Sequence, residues 1–261
     1  SNIVEAAGRA CMGENRSKKQ TELLAFGDAK RTAIEYTSTH ISSETVIEDF
    51  ELKKDLIKAY SKASVRVISE IERLWYNEDG LGDCFRVKIL AEVMPEEELM
   101  NDVSERALLI DKSTLPLNIE IWTDKKTYKL GEKMRVYLKA NKSFYGRLIY
   151  VNASGETLQI LPNPYRKENH LESGIVYEIP SVLDSFDFVT VPPFGEETVT
   201  VYGSSAELGE IEIKTRGGVY KVETASDDIG TKTRGVRVSQ LKQSPYAEFS
   251  ESSVKINTVD R

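Results

Sequence analysis

The spacing of apolar and polar residues changes along the chain and predicts helices first and strands later. After Ser17, small or apolar residues recur at three- and four-residue steps as far as Ile41, which is typical of an amphipathic helix. Ser17 and Gln20 have the spacing of a capping box, so this helix is predicted to begin there. The positions predicted to face a core are Leu23, Phe26, Ala29, Ala33, Tyr36 and Ile41.

Two stretches with a period of two follow a second, shorter helical pattern. Val65 and Val67 alternate with polar residues, and so do the apolar residues between Phe85 and Val93. This alternation predicts two strands, and the turn-forming residues 76–83 between them predict a hairpin. With an opening strand in 3–13, residues 3–94 are predicted to form a small α+β domain, a sheet with a packed helix.

The helical period disappears in the second half of the chain. Pro95 and the acidic residues after it predict a linker helix over 95–114. Residues 115–261 carry short alternating runs bounded by Gly, Pro, Asn or Ser, which predicts an all-β sandwich, immunoglobulin-like or related. A polar segment from Ala225 to Gly235 is predicted to be mobile, and Phe249–Val259 to form a closing strand. The fold class predicted for the whole chain is therefore α+β.

Composition and charge exclude several classes of protein. A net charge of -7 and a pI near 5.2 repel phosphate backbones, and no basic cluster with interleaved aromatics occurs, so no nucleic-acid partner is expected. No run approaches the roughly 20 apolar residues of a membrane-spanning helix. Ser1-Asn2 is typical of the remnant of a cleaved tag, so we expect a native signal or lipid-attachment segment to have been removed.

Catalytic and cofactor motifs are missing from the sequence. There is no nucleophile elbow, phosphate loop or dinucleotide fingerprint. Two histidines and two cysteines cannot supply the spacings of a structural zinc site, so no metal or cofactor is predicted. Acidic pairs, Asp184 with Asp187 and Glu196 with Glu197, leave open a hydrolase whose carboxylates converge from different loops.

Cys11 and Cys84 fall on predicted strands of the N-terminal domain. If those strands are neighbours the cysteines can form a disulfide, whereas two buried free thiols explain the same placement equally well. We take the bridge as the hypothesis. A loop of this length would then add about 4 kcal/mol of stability by the chain-entropy estimate.

The stretch from Leu161 to Pro180 combines turn formers with polar side chains. Two prolines, Asn163 and Gly174 favour a connection between strands. Because loops on a rigid sandwich commonly carry binding residues, the polar tip is a candidate interaction loop. Its candidate residues are Tyr165, Arg166, Asn169 and His170.

The second half contains, in order, a Tyr-x-x-Gly entry turn, a Tyr-Gly-x-Leu strand, a Gly-led turn into Ile-Leu-Pro-Asn, an Asn-x-Leu-x-x-Gly stretch and a Pro-Phe-Gly. This pattern resembles that of the bacterial family called domain of unknown function 4384, which has Leu-Phe-Pro-Asn in the third of these motifs. The resemblance covers about residues 115–210, and Ile160 and Leu161 depart from the usual pattern. The matching positions taken as structural turn landmarks are Gly131, Gly146, Gly155, Pro162, Asn163, Gly174, Pro193 and Gly195.

The resemblance implies a β-rich, non-catalytic companion domain, often found in exported proteins or beside peptidase- or kinase-like domains. Residues 3–94, with "AAGRACMG", "GDAKRTAIEY" and "CFRVKILAEV", resemble more distantly the N-terminal modules of flagellar-assembly-T-type proteins and envelope lipoproteins.

Together these features predict a non-enzymatic bacterial protein, periplasmic or attached to the cell envelope, whose sandwich binds a protein or glycan. The alternatives are the acidic hydrolase and a small-ligand sensor, which predicts a pocket lined by Tyr and Trp.

Overall fold

The computed structural model describes residues 1–44, 50–100, 103, 115–234 and 246–260. The chain divides into two compact units. The first comprises Ser1–Pro116 with Val238–Ala247, and the second comprises Leu117–Arg237 with Glu248–Arg261. Helices and antiparallel strands are both present, so the predicted α+β class is confirmed.

The first unit has the elements β1 (Asn2–Cys11), α1 (Lys18–Glu44), α2 (Phe50–Ser61), β2 (Ser64–Glu78) and β3 (Gly82–Met94). The three strands are antiparallel in the order β1-β3-β2, and their register pairs Asn2 with Val93. The predicted hairpin is confirmed, since β2 and β3 are joined by a tight turn in which the Leu81 N–H donates to the Glu78 carbonyl at 3.0 Å.

The capping box predicted at the start of α1 is confirmed. The Gln20 N–H donates to the Ser17 hydroxyl at 3.2 Å, and the Ser17 N–H donates to the Gln20 side-chain oxygen at 2.9 Å. These two bonds satisfy two of the free N–H groups that every helix start leaves. The helix therefore begins where the sequence indicates.

The buried face of α1 agrees with the predicted one at Ala29, Ala33 and Ile41 and differs from it at Leu23 and Tyr36. Leu23 is 63% exposed and Tyr36 is 41% exposed, although both were expected in the core. The reason is the close approach of α1 to β1, where a Cβ on Gly8 would lie 2.2 Å from the backbone of α1. Only a face of small side chains allows this approach. That face is Thr21, Ala25, Ala29, Ala33, Thr37 and Ile41, all buried.

Cys11 and Cys84 form a disulfide between neighbouring strands. They are direct partners in the register of β1 and β3, which places both at the end of the sheet nearest the hairpin turn. The bridge joins residues 73 apart in sequence, so it removes much loop entropy from the unfolded chain.

The described part of the second unit is a sandwich of two sheets with an added two-stranded ribbon and one short helix. Its elements are β4 (Ile119–Thr123), β5 (Thr127–Lys129), β6 (Lys133–Met134), β7 (Val136–Ala140), β8 (Phe144–Val151), β9 (Thr157–Leu161), β10 (His170–Leu171), β11 (Tyr177–Ile179), β12 (Phe188–Val189), β13 (Glu196–Ser204), β14 (Ile213–Arg216), β15 (Val219–Val222), α3 (Ser226–Arg234) and β16 (Tyr246–Val259). The larger sheet has the order β14-β15-β9-β8-β13-β16, with β10 on β8 and β5 parallel to β16. The smaller sheet has the order β11-β7-β4, and the ribbon pairs β12 with β6.

One hydrophobic core lies between the two sheets of this unit. It joins Val136 and Leu138 of the smaller sheet to Leu148, Val199 and Val201 of the larger one. The alternation of inward apolar residues along each strand produces this core, as the sandwich prediction requires. The closing strand is confirmed as β16.

The helix α3 lies where the sequence indicated a mobile polar segment. Asp227 and Asp228 stand in its first turn, and Lys232 and Arg234 stand in its last, so the charges suit the helix dipole. Hydrophobic periodicity misses it because Ile229 is its one buried apolar residue among the described positions.

Most of the turn landmarks occupy turns. Gly131, Gly155, Gly174 and Gly195 all have positive φ, the region that favours glycine. Gly146 is a correction, because it lies inside β8 and pairs with Gly203 of β13. A Cβ on Gly146 would stand 3.1 Å from the Phe144 ring, so the missing side chain makes room for that ring.

Asn163 holds the turn that follows β9. It is 2% exposed, and its Oδ1 accepts from the N–H groups of Tyr165 and Arg166 at 2.8 and 2.9 Å. Its Nδ2 donates to the Ile160 carbonyl at 2.8 Å. Pro162 and Pro193 both follow cis peptide bonds.

The predicted linker helix falls mostly outside the described residues. Residues 97–100 are helical, whereas 101–102 and 104–114 are not described. The predicted domain boundaries therefore stay predictions. None of the helices in the described part of the chain combines the length and the apolar character needed to cross a membrane.

Candidate functional site

The second unit has an open cleft of about 420 Å³. One wall comes from β8, β9 and the turn between them, and the other comes from β12 and the segment that follows it. Aliphatic and aromatic side chains supply most of the lining, including Met134, Leu158, Ile160, Phe188, Val189 and Val219. A concave, apolar site with a few polar groups is the usual form of a binding pocket.

Glu197 is a buried carboxylate in this cleft. It is 2% exposed and belongs to the inward phase of β13, the phase of Val199 and Val201. The Tyr150 hydroxyl donates a short hydrogen bond to its Oε2, and the Ala153 N–H donates to its Oε1 at 3.4 Å. Burial, and then the bond to Glu197, raise the pKa of Tyr150 above its ordinary value, so the phenol stays protonated and remains a donor.

Two further carboxylates line the cleft, and each is neutralised by cations of the protein. Glu156 accepts from Lys221 at 3.0 Å and from Arg216 at 3.2 Å. The hydrogen bond from Lys221 holds the pKa of Glu156 below its usual value. Asp187 accepts from Lys133 at 2.6 Å, and that bond likewise lowers the pKa of Asp187.

The rim of the cleft is built from turns that fix their own backbone. The Asn152 side-chain oxygen accepts from the N–H groups of Ser154 and Glu156 at 3.0 and 2.9 Å. On the other side, the Thr258 N–H donates to the Gly195 carbonyl at 2.9 Å. The cleft is therefore largely formed before any ligand arrives.

Several polar groups of the candidate interaction loop form bonds within the protein. Arg166 pairs with the partly buried Asp184 at 3.1 Å, and the carbonyl of Asn169 accepts from the Gly146 N–H at 2.7 Å. Tyr165 is exposed and stacks on Phe186 with ring centroids 6.0 Å apart.

His170 also lies at the surface of this loop. It begins β10, and its ring centroid lies 4.8 Å from the ring centroid of Tyr145. Its backbone N–H donates to the Glu168 side chain. Binding by the loop residues stays a prediction, and Tyr165 and His170 are the members with exposed rings.

The acidic pairs of the sequence do not converge as pairs. Asp184 is held by Arg166, whereas its predicted companion Asp187 lines the cleft. Glu196 is exposed and pairs with Lys255, whereas Glu197 lies inside. The cleft therefore draws one residue from each pair.

Potential metal ligands come together at one place among the described residues, and it lies in the first unit. Cys11, Cys84 and Glu78 bring one ligand atom each to within 4.8 Å of one another. Both sulfurs are consumed by the disulfide, so neither is a thiolate that could bind a metal ion.

Sequence reasoning missed Tyr150 and the inward position of Glu197. A signal was available, because Glu197, Val199 and Val201 follow the period of two along β13. A glutamate in the buried phase of a strand is unusual and needs a compensating partner. Tyr150 had no comparable signal, since tyrosine is common in ordinary strands.

Comparison with known families bears on the same unit. A search of curated proteins finds no significant match to the chain. The resemblance seen in the 3–94 segment stays a prediction. Residues 127–207, which include Tyr150, Glu156, Asp187 and Glu197, match the family model described as domain of unknown function DUF4384, so the resemblance of the C-terminal part is confirmed.

Proposed function

We propose that this protein is a non-catalytic interaction module of the bacterial cell envelope, and that its second unit binds a segment of a partner protein in the cleft. The observation that carries the proposal is the preformed cleft with a mainly apolar lining. Apolar side chains such as Val189 and Phe188 suit the side chains of a protein segment.

The lining favours a protein over a glycan. Sugars present many hydroxyl groups, which need matching hydrogen-bond partners when they are buried. Most polar groups of this cleft already hold partners within the protein, as Glu156 and Asp187 do with their cations. An apolar protein segment needs fewer such partners.

The cleft supports binding better than hydrolysis. A glycosidase-type site needs one carboxyl group to give a proton and another to act as base or nucleophile. Here the cations beside Glu156 and Asp187 keep both carboxylates ionised, and the Tyr150 hydroxyl is bound to Glu197. A small-ligand sensor, for which a pocket lined by Tyr and Trp is expected, is not favoured either, since the lining contains Tyr150 but neither tryptophan.

The disulfide supports an exported location. Disulfides persist in the periplasm and at cell surfaces, whereas cytosolic thiols are kept reduced. Alkylation of intact source cells, followed by fractionation, tests this point. We expect an oxidised protein in the envelope or periplasmic fraction, and two alkylated cysteines in the cytosolic fraction would contradict the location.

Site-specific photocrosslinking tests the binding function. Benzoylphenylalanine is placed at Val189, which is 47% exposed and lines the cleft, and in a second protein at the exposed Lys139 of the same unit as the control. We expect a discrete protein adduct from position 189 and none from position 139. Adducts from both positions, or from neither, would reject the cleft as the binding surface.

A further inference from the structure

The cleft contains a buried negative charge for which the described part of the chain provides no cation. Glu197 accepts only from the Tyr150 hydroxyl and the Ala153 N–H there, and both donors are neutral. By contrast, each of the other two carboxylates of the cleft holds a lysine and lies beside an arginine. Glu197 is therefore the acidic group of the cleft that is left for an external cation.

A buried carboxylate without a cation is energetically unfavourable. Removal from water disfavours the charged form strongly, and neutral donors offset only part of that loss. An ionised carboxylate also offers about four acceptor positions, of which two are used here, one of them by a long bond of 3.4 Å. The remaining positions can accept from the N–H groups of a ligand.

The apolar surroundings decide what else the ligand carries. Ile160 and Ile256 lie on strands that line the cleft, and Val189, Val191 and Phe188 lie on the segment opposite. A bare ammonium or metal ion would leave these side chains unmatched. A positive charge on an apolar body satisfies both the carboxylate and the lining.

We infer that the cleft binds a Lys or Arg side chain carried by an apolar segment of a partner protein, with the cation paired to Glu197. The inference rests on the proposed function for the source of the cation, because only a protein partner supplies such a segment. The Tyr150 hydroxyl holds Oε2 of Glu197, and Oε1, which accepts only the long bond from the Ala153 N–H, keeps an acceptor position for the ligand.

Three eight-carbon probes test whether binding to the protein requires a positive charge on the ligand. Octylammonium, octanol and octanoate have eight carbons each and differ in the head group, and octanoate, whose charge is repelled by Glu197, is expected to bind most weakly. Binding is measured by titration calorimetry, and the cleft signals are followed by NMR below the concentration at which each probe self-associates. Octylammonium is expected to bind about 10-fold or more tightly than octanol, the ratio for one hydrogen bond to a charged group.

Two variants isolate Glu197. Glu197→Gln keeps the shape and can still accept from Tyr150, but it removes the charge, so we expect octylammonium and octanol to bind this variant with equal affinity. Glu196→Gln is the matched control, because Glu196 is the neighbouring glutamate on the same strand, is exposed, does not line the cleft and pairs with Lys255. It is expected to keep the preference for octylammonium.

Three results would overturn the inference: equal binding of octylammonium and octanol by the unmodified protein, a preference that survives in Glu197→Gln, or no binding of any probe. These results are independent of the crosslinking test. If position 189 gives a protein adduct but the probes show no charge preference, the interaction function stands and the pairing of a cation with Glu197 is rejected. If the probes show the charge preference but no protein adduct forms, the cation pairing stands and a partner protein as the source of the cation is rejected.

Discussion

The contact between Gly8 and α1 gives the sharpest test of the packing in the first unit. A Cβ on Gly8 would lie 2.2 Å from the Ala25 carbonyl oxygen and 2.2 Å from the Ala29 nitrogen. Ordinary contact begins at 3.4 Å, so the Gly8→Ala protein must displace α1 by roughly 1 Å. The obstructing atoms are backbone, and a rotamer change cannot relieve the clash.

We expect Gly8→Ala to lower the free energy of unfolding of this unit by about 2–3 kcal/mol, the upper part of the range for an overpacked core. The matched control is Gly27→Ala on the same helix, where a Cβ meets nothing within 4 Å. Alanine has the higher helix propensity, so that change is expected to stabilise by up to about 1 kcal/mol.

The two tryptophans make the assay specific to one unit. Trp75 lies in the first unit with its ring 5.0 Å from Phe85, and Trp122 lies in the second. In a Trp122→Phe background, urea unfolding followed by fluorescence therefore reports the first unit. Gly8→Ala should move the midpoint down by about 1 M, and Gly27→Ala should move it up. An unchanged midpoint for Gly8→Ala would refute the packing of α1 on β1.

Three further predictions follow from the same structure. Replacing Cys11 and Cys84 together by Ala should destabilise by about 4 kcal/mol in urea unfolding, and dithiothreitol should reproduce the loss in the unmodified protein but not in the variant. Asn163→Ala should destabilise the second unit by about 2–4 kcal/mol, because the turn after β9 loses three side-chain hydrogen bonds, of which the one to the Ile160 carbonyl is buried; a change below about 0.5 kcal/mol would show that water replaces the side chain. Tyr150 has its pKa raised by burial and by its bond to Glu197, so the stability it contributes is complete below the unfolded pKa near 10 and is lost as pH rises above it. Between pH values of about 9 and 11, the free energy of unfolding of Tyr150→Phe should therefore fall less steeply with pH than that of the unmodified protein. The two slopes should differ by at most about 1.4 kcal/mol per pH unit, and identical slopes would contradict the assignment.

Local signals predicted local structure well. The capping box at Ser17 and the alternation between Phe85 and Val93 are decided within a few residues, and the structure contains both the helix start and the strand. The disulfide was left open by sequence because it depends on which strands are neighbours. The direct pairing of β1 with β3 decides it.

Features that depend on distant contacts were predicted less well. The exposure of Leu23 follows from the approach of α1 to Gly8, which no helical pattern encodes. Gly146 was grouped with turn positions, although it makes room for the Phe144 ring within a strand. In both cases the glycine makes room for atoms that pack closely against its backbone. In the sequence such a glycine looks the same as one in a turn.

The candidate site contains some features that local sequence signals predict and others that depend on distant contacts. The rim turns at Gly155 and Gly195 belong to the family pattern and were visible in the sequence, whereas the pairing of Tyr150 with Glu197 was not. Strand β13 nevertheless carried a detectable conflict, because a charged residue occupies a position that its period assigns to the core. Such a conflict is tolerated where a partner compensates it. The described residues supply Glu197 with neutral donors only, and this missing compensation is the physical reason to look for a cationic partner.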